Sequence, residues 1–318
     1  LRSVLLAEAA VRLEVAADQL DLRSGKIELN GQITDVNVSD LLQRISFSSK
    51  IEEHSAPKSY QQRPLDADQV TRSDLKNQIV GAPFLHDLHE DGLLYGAPVH
   101  PPSMTSVLEC IDIDLVKDRP GVVEVVRDGS FIGIVALSPF EAAEAVKFAH
   151  VLARWSETAL SPNDPMVSIA GSEADATTVF SQVDSGTPEG TLHQTEVARP
   201  FLMHGSIGPA SAMAVWRDGS VQVWSHSQGV FQLRSAISMA LAIEEAKITV
   251  IHYPGAGCYG HNGADDAAFD AVLMARSVQG KRVKVVWSRR DEFRAAPMGP
   301  GMVTRVSATL GADNQIVA

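Results

Sequence analysis

The chain has 318 residues, 45% of them hydrophobic and 21% charged, with 27 Lys plus Arg against 39 Asp plus Glu and a net charge of −12. That length suggests two or three soluble domains, and the acidic balance argues against a phosphate-neutralising surface for nucleic acid. Two cysteines, Cys110 and Cys258, are too few for a disulfide framework, a zinc ribbon or an iron–sulfur cluster and read as buried or partly buried thiols. No run of apolar residues is long enough for a membrane span.

In chain order, Leu1 to about Ala17 reads as an amphipathic helix, with Val4, Leu5, Ala9, Leu13 and Val15 on one stripe. Two short strands follow around Ser24-Gly25, then a helix from Val38 to Ile45. Residues 46–76 are polar and aperiodic and read as a linker. From Gly81 to Trp155 the pattern is that of an α/β unit. It has strand character at 93–99 and 107–113, a strand pair about Asp128-Gly129, and a helix opening at Pro139. After a polar stretch to Gly190 comes a hairpin about Asp218-Gly219, then a helix from Val230 to Ile243 and a strand from Ile248 to Tyr253. A glycine-rich loop, a helix from Asp265 to Val278 and a strand from Val283 to Trp287 complete the pattern. The chain begins without Met, already helical, and ends where a strand starts, so both ends read as cut.

The segment Pro254-Gly255-Ala256-Gly257-Cys258-Tyr259-Gly260-His261-Asn262-Gly263 links a strand to a helix. Such loops converge backbone N–H groups on an anionic or oxo ligand, and glycine lets the main chain approach closely. Gly255-x-Gly257-x-x-Gly260 copies the dinucleotide fingerprint, but the acidic residue that should end the next strand, Asp291, comes about thirty positions on instead of about twenty. His261 with Asp265 or Asp266 has metal-ligand spacing; the better reading is that the two carboxylates cap and charge the following helix. His204-Gly205-Ser206 lacks the glycine two places before the serine that a nucleophile elbow needs. For Ser225-His226-Ser227-Gln228-Gly229 two readings stay open: Ser227 as a helix N-cap, or Gln228 as a carboxamide presented beside the glycine loop.

Three motifs in this order, Ser206-Ile207-Gly208-Pro209, Ser225-His226-Ser227-Gln228-Gly229-Val230 and Gly257-Cys258-Tyr259-Gly260-His261-Asn262-Gly263, resemble one family. It is that of the molybdopterin-binding large subunits of the molybdenum hydroxylases (xanthine dehydrogenase and aldehyde oxidase), in the isoquinoline 1-oxidoreductase and nicotinate dehydrogenase branch. Leu94-Tyr95-Gly96, Pro101-Pro102-Ser103 and Pro120-Gly121-Val122-Val123 resemble its α/β-hammerhead domain. The resemblance implies an α+β fold: a helix plus hairpin over 1–45, a linker over 46–76, a hammerhead domain over 77–156, a polar connection over 157–195, and the first part of a mixed α+β molybdenum-cofactor domain over 196–318.

It further implies a Mo–molybdopterin cofactor, in its cytosine dinucleotide form, and hydroxylation of an N-heteroaromatic or aldehyde carbon with oxygen from water. Electrons would leave through iron–sulfur clusters on a small partner subunit and pass on to a cytochrome c partner. Gln228 and Gly229 match the family's glutamine segment beside an oxo group on molybdenum. Gly257, Cys258, Tyr259 and Gly260 match its Gly-Gly-Phe-Gly-Gly-type loop, with Cys258-Tyr259 standing where relatives carry Phe-Gly. No residue here corresponds to a direct metal ligand, and the family's glutamate base is expected C-terminal of Ala318. The chain therefore reads as a portion of a larger subunit, inactive alone. The alternative is a non-catalytic assembly or interaction module. The substrate and the compartment (cytoplasmic or periplasm-facing) stay open.

Overall fold

Tight turns set much of the architecture. Ser24-Gly25, Asn30-Gly31 and Asp218-Gly219 each place two successive residues at positive φ, the backbone that lets a two-residue hairpin follow the twist of its strands. The computed structural model describes residues 1–45, 73–103, 105–156, 169, 177–181, 189–260 and 266–317, Asp266 by its backbone alone. The linker expected at 46–76 lies largely outside the described residues, as does most of the polar connection at 157–195.

The chain divides into two units, Leu1–Leu75 and Lys76–Ala318. In the first, helix α1 (Arg2–Leu13) buries Leu5, Leu6, Ala9 and Ala10 with Leu20, Ile27, Val36 and Leu41. These come from an antiparallel meander of β1 (Leu20–Arg23), β2 (Lys26–Leu29) and β3 (Gln32–Asn37), followed by the short helix α2 (Val38–Leu42). Asn37 caps α2 by accepting the Ser39 N–H at 2.8 Å.

Helix α3 (Leu75–Ile79) begins at the last residue of the first unit, and the second unit is organised by a mixed seven-stranded sheet. Its earlier strands are β4 (Leu94–Pro98), β6 (Val122–Asp128) and β7 (Phe131–Ala136); its later ones are β10 (Ser211–Arg217), β11 (Ser220–Ser225), β12 (Ile248–His252) and β13 (Arg282–Val286). In space they run β12-β11-β10-β13-β4-β7-β6, so the join between the earlier and later segments is the parallel pair β13–β4, with Val283 opposite Leu94. Outside the sheet, β5 (Leu108–Cys110) pairs with β8 (Arg154–Trp155), and β9 (Thr191–Arg199) with β14 (Met302–Leu310).

Helices cover both faces of the sheet. On one face α7 (Asp266–Ser277) packs Ala267, Ala268, Ala271, Val272, Met274 and Ala275 against Ala212, Ala214, Val283 and Val285. With them pack Leu233 and Ile237 of α6 (Val230–Leu241). On the other face α5 (Pro139–Leu152) sets Ala145 and Ala149 over Val125, Ile132 and Ile134. Ser138 starts α5 by accepting the Glu141 N–H at 3.2 Å, with Pro139 in the first turn.

The architecture is α+β, as the sequence implies, and several local readings need correcting. Residues 107–113 are not one strand: β5 stops at Cys110, and Asp112 caps a helix, α4 (Ile113–Lys117), by accepting the Leu115 N–H at 3.2 Å. Cys110 is exposed, while Cys258 is half-buried as expected. Helix α6 starts one residue after Gly229, which holds the N-cap position; Ser227 instead accepts the Gly229 N–H at 3.0 Å and closes a turn ahead of the helix.

Candidate functional site

The register of the sheet gathers the three motifs at one edge. Ser225, at the end of β11, lies opposite His252, at the end of β12, and its antiparallel neighbour is Ala212. Ser211, which opens β10, pairs with Val286 at the end of β13. The segments 204–210, 226–229 and 253–260 therefore leave from the same side. Loops beyond the carboxyl ends of parallel strands are where α/β sheets place ligands.

Hydrogen bonds tie these segments together. The Gly208 N–H donates to the Ala256 carbonyl at 2.7 Å, the Tyr253 N–H to the Ser225 carbonyl at 2.9 Å, and the Leu85 N–H to the Pro254 carbonyl at 2.8 Å. Nδ1 of His252 donates to the Ser227 carbonyl at 3.1 Å. At the centre stands His226, 4% exposed. Its Nε2 accepts the Ser211 N–H at 3.1 Å, so the ring proton sits on Nδ1 when the imidazole is neutral. His86 meets this ring edge-on at 5.5 Å and donates from Nε2 to the Pro209 carbonyl at 2.7 Å.

A second brace holds the 206–210 segment from below. Glu292, 1% exposed, lies on the short helix α8 (Arg289–Ala295) and accepts the Ala210 N–H at 2.9 Å. Its other oxygen pairs with Arg289 at 2.5 Å, and Arg289 donates to the Ile207 carbonyl at 2.9 Å. Ser206, in the same segment, is 1% exposed, and its Oγ has no hydrogen-bond partner among the described residues.

The residues singled out by sequence sit on this frame. Gln228 is exposed at the turn between β11 and α6, and its carboxamide makes no hydrogen bond among the described residues. Gly257 and Gly260 have φ of +101° and +103°, the left-handed backbone that favours glycine. Cys258 is half-buried, Gly260 exposed, and Tyr259 52% exposed. The Gly257 N–H is already committed, donating to the Gly255 carbonyl at 2.9 Å. The amides of Cys258, Tyr259 and Gly260 have no such partner among the described residues, which narrows the available donors to these three. His261 and Asp265 lie outside the described residues, as does the side chain of Asp266, so their capping role does too. Among the described residues no group of three or more His, Cys, Asp or Glu is placed to hold a metal ion.

Residues 170–318 match the model of the molybdopterin cofactor-binding domain. The chain is 29% identical over 333 aligned positions to a nicotinate dehydrogenase subunit of Pseudomonas putida, covering 100% of this chain and 28% of that protein. It is 24% identical over 267 positions to the beta subunit of isoquinoline 1-oxidoreductase from Brevundimonas diminuta, covering 78% and 34%. The chain is thus similar to these oxidoreductase subunits, and its residues 170–318 to a molybdopterin cofactor-binding domain.

The crystal structure of quinoline 2-oxidoreductase from Pseudomonas putida 86 shares the fold with a TM-score of 0.60 at 16% identity, over 78% of this chain and 38% of that one. The chain thus spans about a third of the length of the oxidoreductases it matches. Sequence reasoning assigned no role at this edge to His86, Arg289 or Glu292, and carried His226 only as a member of the Ser225–Val230 motif. The Ser288-x-x-Asp291 capping box marks the start of α8, the helix that carries Arg289 and Glu292.

Proposed function

We propose that this chain forms one wall of the molybdenum-cofactor site of a hydroxylase acting on an N-heteroaromatic or aldehyde carbon. The observation that carries the reading is the convergence of Gln228 and the Gly255–Gly260 loop at one sheet edge, with the Gln228 carboxamide and the Cys258, Tyr259 and Gly260 amides uncommitted among the described residues. These groups fit an oxo-bearing cofactor. A carboxamide and main-chain N–H groups donate to an oxo oxygen without transferring a proton, and a rigid frame holds the donors at no reorganisation cost. When bound, the molybdenum–pterin group supplies the two-electron acceptor for hydroxylation, with oxygen drawn from water.

In this reading Gln228 and the loop amides orient the cofactor. His226 keeps the Gly255 backbone in place, and the Glu292–Arg289 brace sets the level of the 206–210 segment. The cytosine dinucleotide form of the cofactor, iron–sulfur clusters on a small partner subunit and a cytochrome c acceptor complete the proposal. So do a hammerhead domain over 77–156 and a cofactor domain beginning at 196. The names of the relatives, a nicotinate dehydrogenase and an isoquinoline oxidoreductase, support the N-heteroaromatic class.

The test is metal analysis of the full subunit purified with its partner subunits. Molybdenum near one per subunit is expected for the unmodified protein, and a marked loss for Gln228→Ala combined with Gly257→Ala. An assembled complex free of molybdenum would overturn the reading in favour of an assembly module.

A further inference from the structure

On the face of the sheet opposite α7, a cavity of about 490 Å³ opens between α5 and α8. Its walls are Tyr95, Pro98, Ala142, Val146 and Val286, a mainly apolar slot whose volume exceeds that of an aromatic ring. Its rim is cationic. Arg290 and Arg294 stand one helical turn apart on α8, and Lys147 and His150 stand on α5 across from them.

The cations differ in how far they are committed. Lys284, 6% exposed on the floor, donates to the carbonyls of His86 and Leu88 (2.8 Å to the latter). Lys147 pairs with Glu144 at 2.5 Å. Arg290 and Arg294 have no ion-pair or hydrogen-bond partner for their guanidinium groups among the described residues. The single acid in the lining, Asp291, is occupied in capping α8, accepting the Ser288 N–H at 3.0 Å. Two uncommitted guanidinium forks above an apolar slot complement a planar carboxylate: the fork matches the carboxylate's two oxygens, and the slot takes the ring.

We propose that this pocket binds a small aromatic carboxylate, its carboxylate held by Arg290 and Arg294 and its ring seated among Pro98, Ala142, Val146 and Val286. The electrostatics agree. Burial, then the positive field of Arg294, lowers the pKa of His150, with Asp291 opposing and Arg290 adding to the effect. A bound carboxylate would relieve that field. The pocket is separate from the cofactor edge, sharing with it His86 alone of the residues that brace the loops, and the proposal stands independently of the cofactor reading.

The test is equilibrium titration of the full chain with benzoate, with benzamide as the neutral isostere and inorganic phosphate as charge without a ring. Benzoate should saturate a single site, with benzamide and phosphate each at least about tenfold weaker. The double variant R290A/R294A should lower benzoate affinity by about tenfold or more with an unchanged thermal melt, since both side chains are exposed. Val146→Trp should block the slot, whereas Gln228→Ala should leave benzoate binding as it was. Absence of saturable benzoate binding would overturn the proposal, as would equal affinity for benzamide or phosphate, or undiminished binding by R290A/R294A. Tighter binding of an oligoglutamate peptide than of benzoate would also overturn it, assigning the pocket to an acidic protein segment.

Discussion

The imidazole of His226 fills the space that a side chain at position 255 would need: a Cβ placed on Gly255 would come within 2.4 Å of its Nδ1. The backbone of Gly255 does not require left-handed φ, so the constraint there is contact and not conformation. Gly255→Ala should therefore destabilise the second unit by about 1–3 kcal/mol, the ordinary cost of overpacking. In a double-mutant cycle, His226→Ala should recover part of that loss, because the ring is what the new methyl group meets. Urea denaturation of the four proteins measures it, and strictly additive losses would show that the contact does not exist.

Glu292 serves two donors at once, the Ala210 N–H and Arg289. Glu292→Ala leaves a buried amide without an acceptor and a half-exposed guanidinium without its partner. The expected loss is about 2 kcal/mol, moderated because Arg289 reaches solvent. Glu292→Gln keeps an acceptor for Ala210 and should lose about half as much. In the assembled protein, hydrogen exchange at 206–210 should rise in the Ala variant and stay near the unmodified level in the Gln variant.

These two braces show where the sequence is legible and where it is not. The strand–loop–helix order around Gly255–Gly260 follows from local period and glycine placement, and the shared sheet edge follows from strand polarity. His226 reads locally as one polar residue between two serines, since its partners Ser211 and Gly255 lie 15 and 29 positions away. Lys284 interrupts an apolar strand, and only the carbonyls of His86 and Leu88, some two hundred positions earlier, make it a buried lysine. The β9–β14 ribbon was missed because every residue of β9 is exposed, so no alternation marks it. By contrast, β3 was announced by Asn30-Gly31, a turn pair whose signal went unused.

His100 stacks edge-on against Trp287 at 4.6 Å, and burial lowers its pKa below the ordinary histidine value, with Asp291 opposing and Arg294 and His150 reinforcing the shift. The unfolded chain then holds more protons at this position than the folded one below about pH 6.5. Stability from His100 is full above that value and falls as the pH drops through it towards the lowered folded value. His150 acts in the same direction. Urea midpoints measured from neutral to mildly acidic pH should decline, and His100→Gln, which cannot titrate, should flatten part of the decline. An unchanged pH profile in that variant would show that His100 is as readily protonated in the folded chain as in the unfolded one.

Met274, fully buried on α7, reaches the sheet where β4 and β7 carry glycine. A Cβ on Gly96 would stand 2.6 Å from its sulfur and 2.9 Å from methyl groups of Val283 and Val285; one on Gly133 would stand 2.7 Å from its Cγ and 2.9 Å from the ring edge of Phe131. Neither glycine has positive φ, so what both positions demand is the absence of a side chain beneath the helix. This close approach lets a helix from the later segment lie across strands of the earlier one, beside the β13–β4 join. Gly96→Ala should cost more than Gly133→Ala, because Val283 and Val285 are fully buried in the sheet, whereas at Gly133 the thioether is flexible and the Phe131 ring only partly buried. We expect about 3 kcal/mol for the first and about 1 kcal/mol for the second. Met274→Ala introduced behind each variant should restore a larger share of the loss at Gly133, where only the movable Phe131 ring then remains, than at Gly96. Equal rescue at both positions would mean that Met274 alone, and not the Val283 and Val285 methyl groups, sets the spacing of the helix from the sheet.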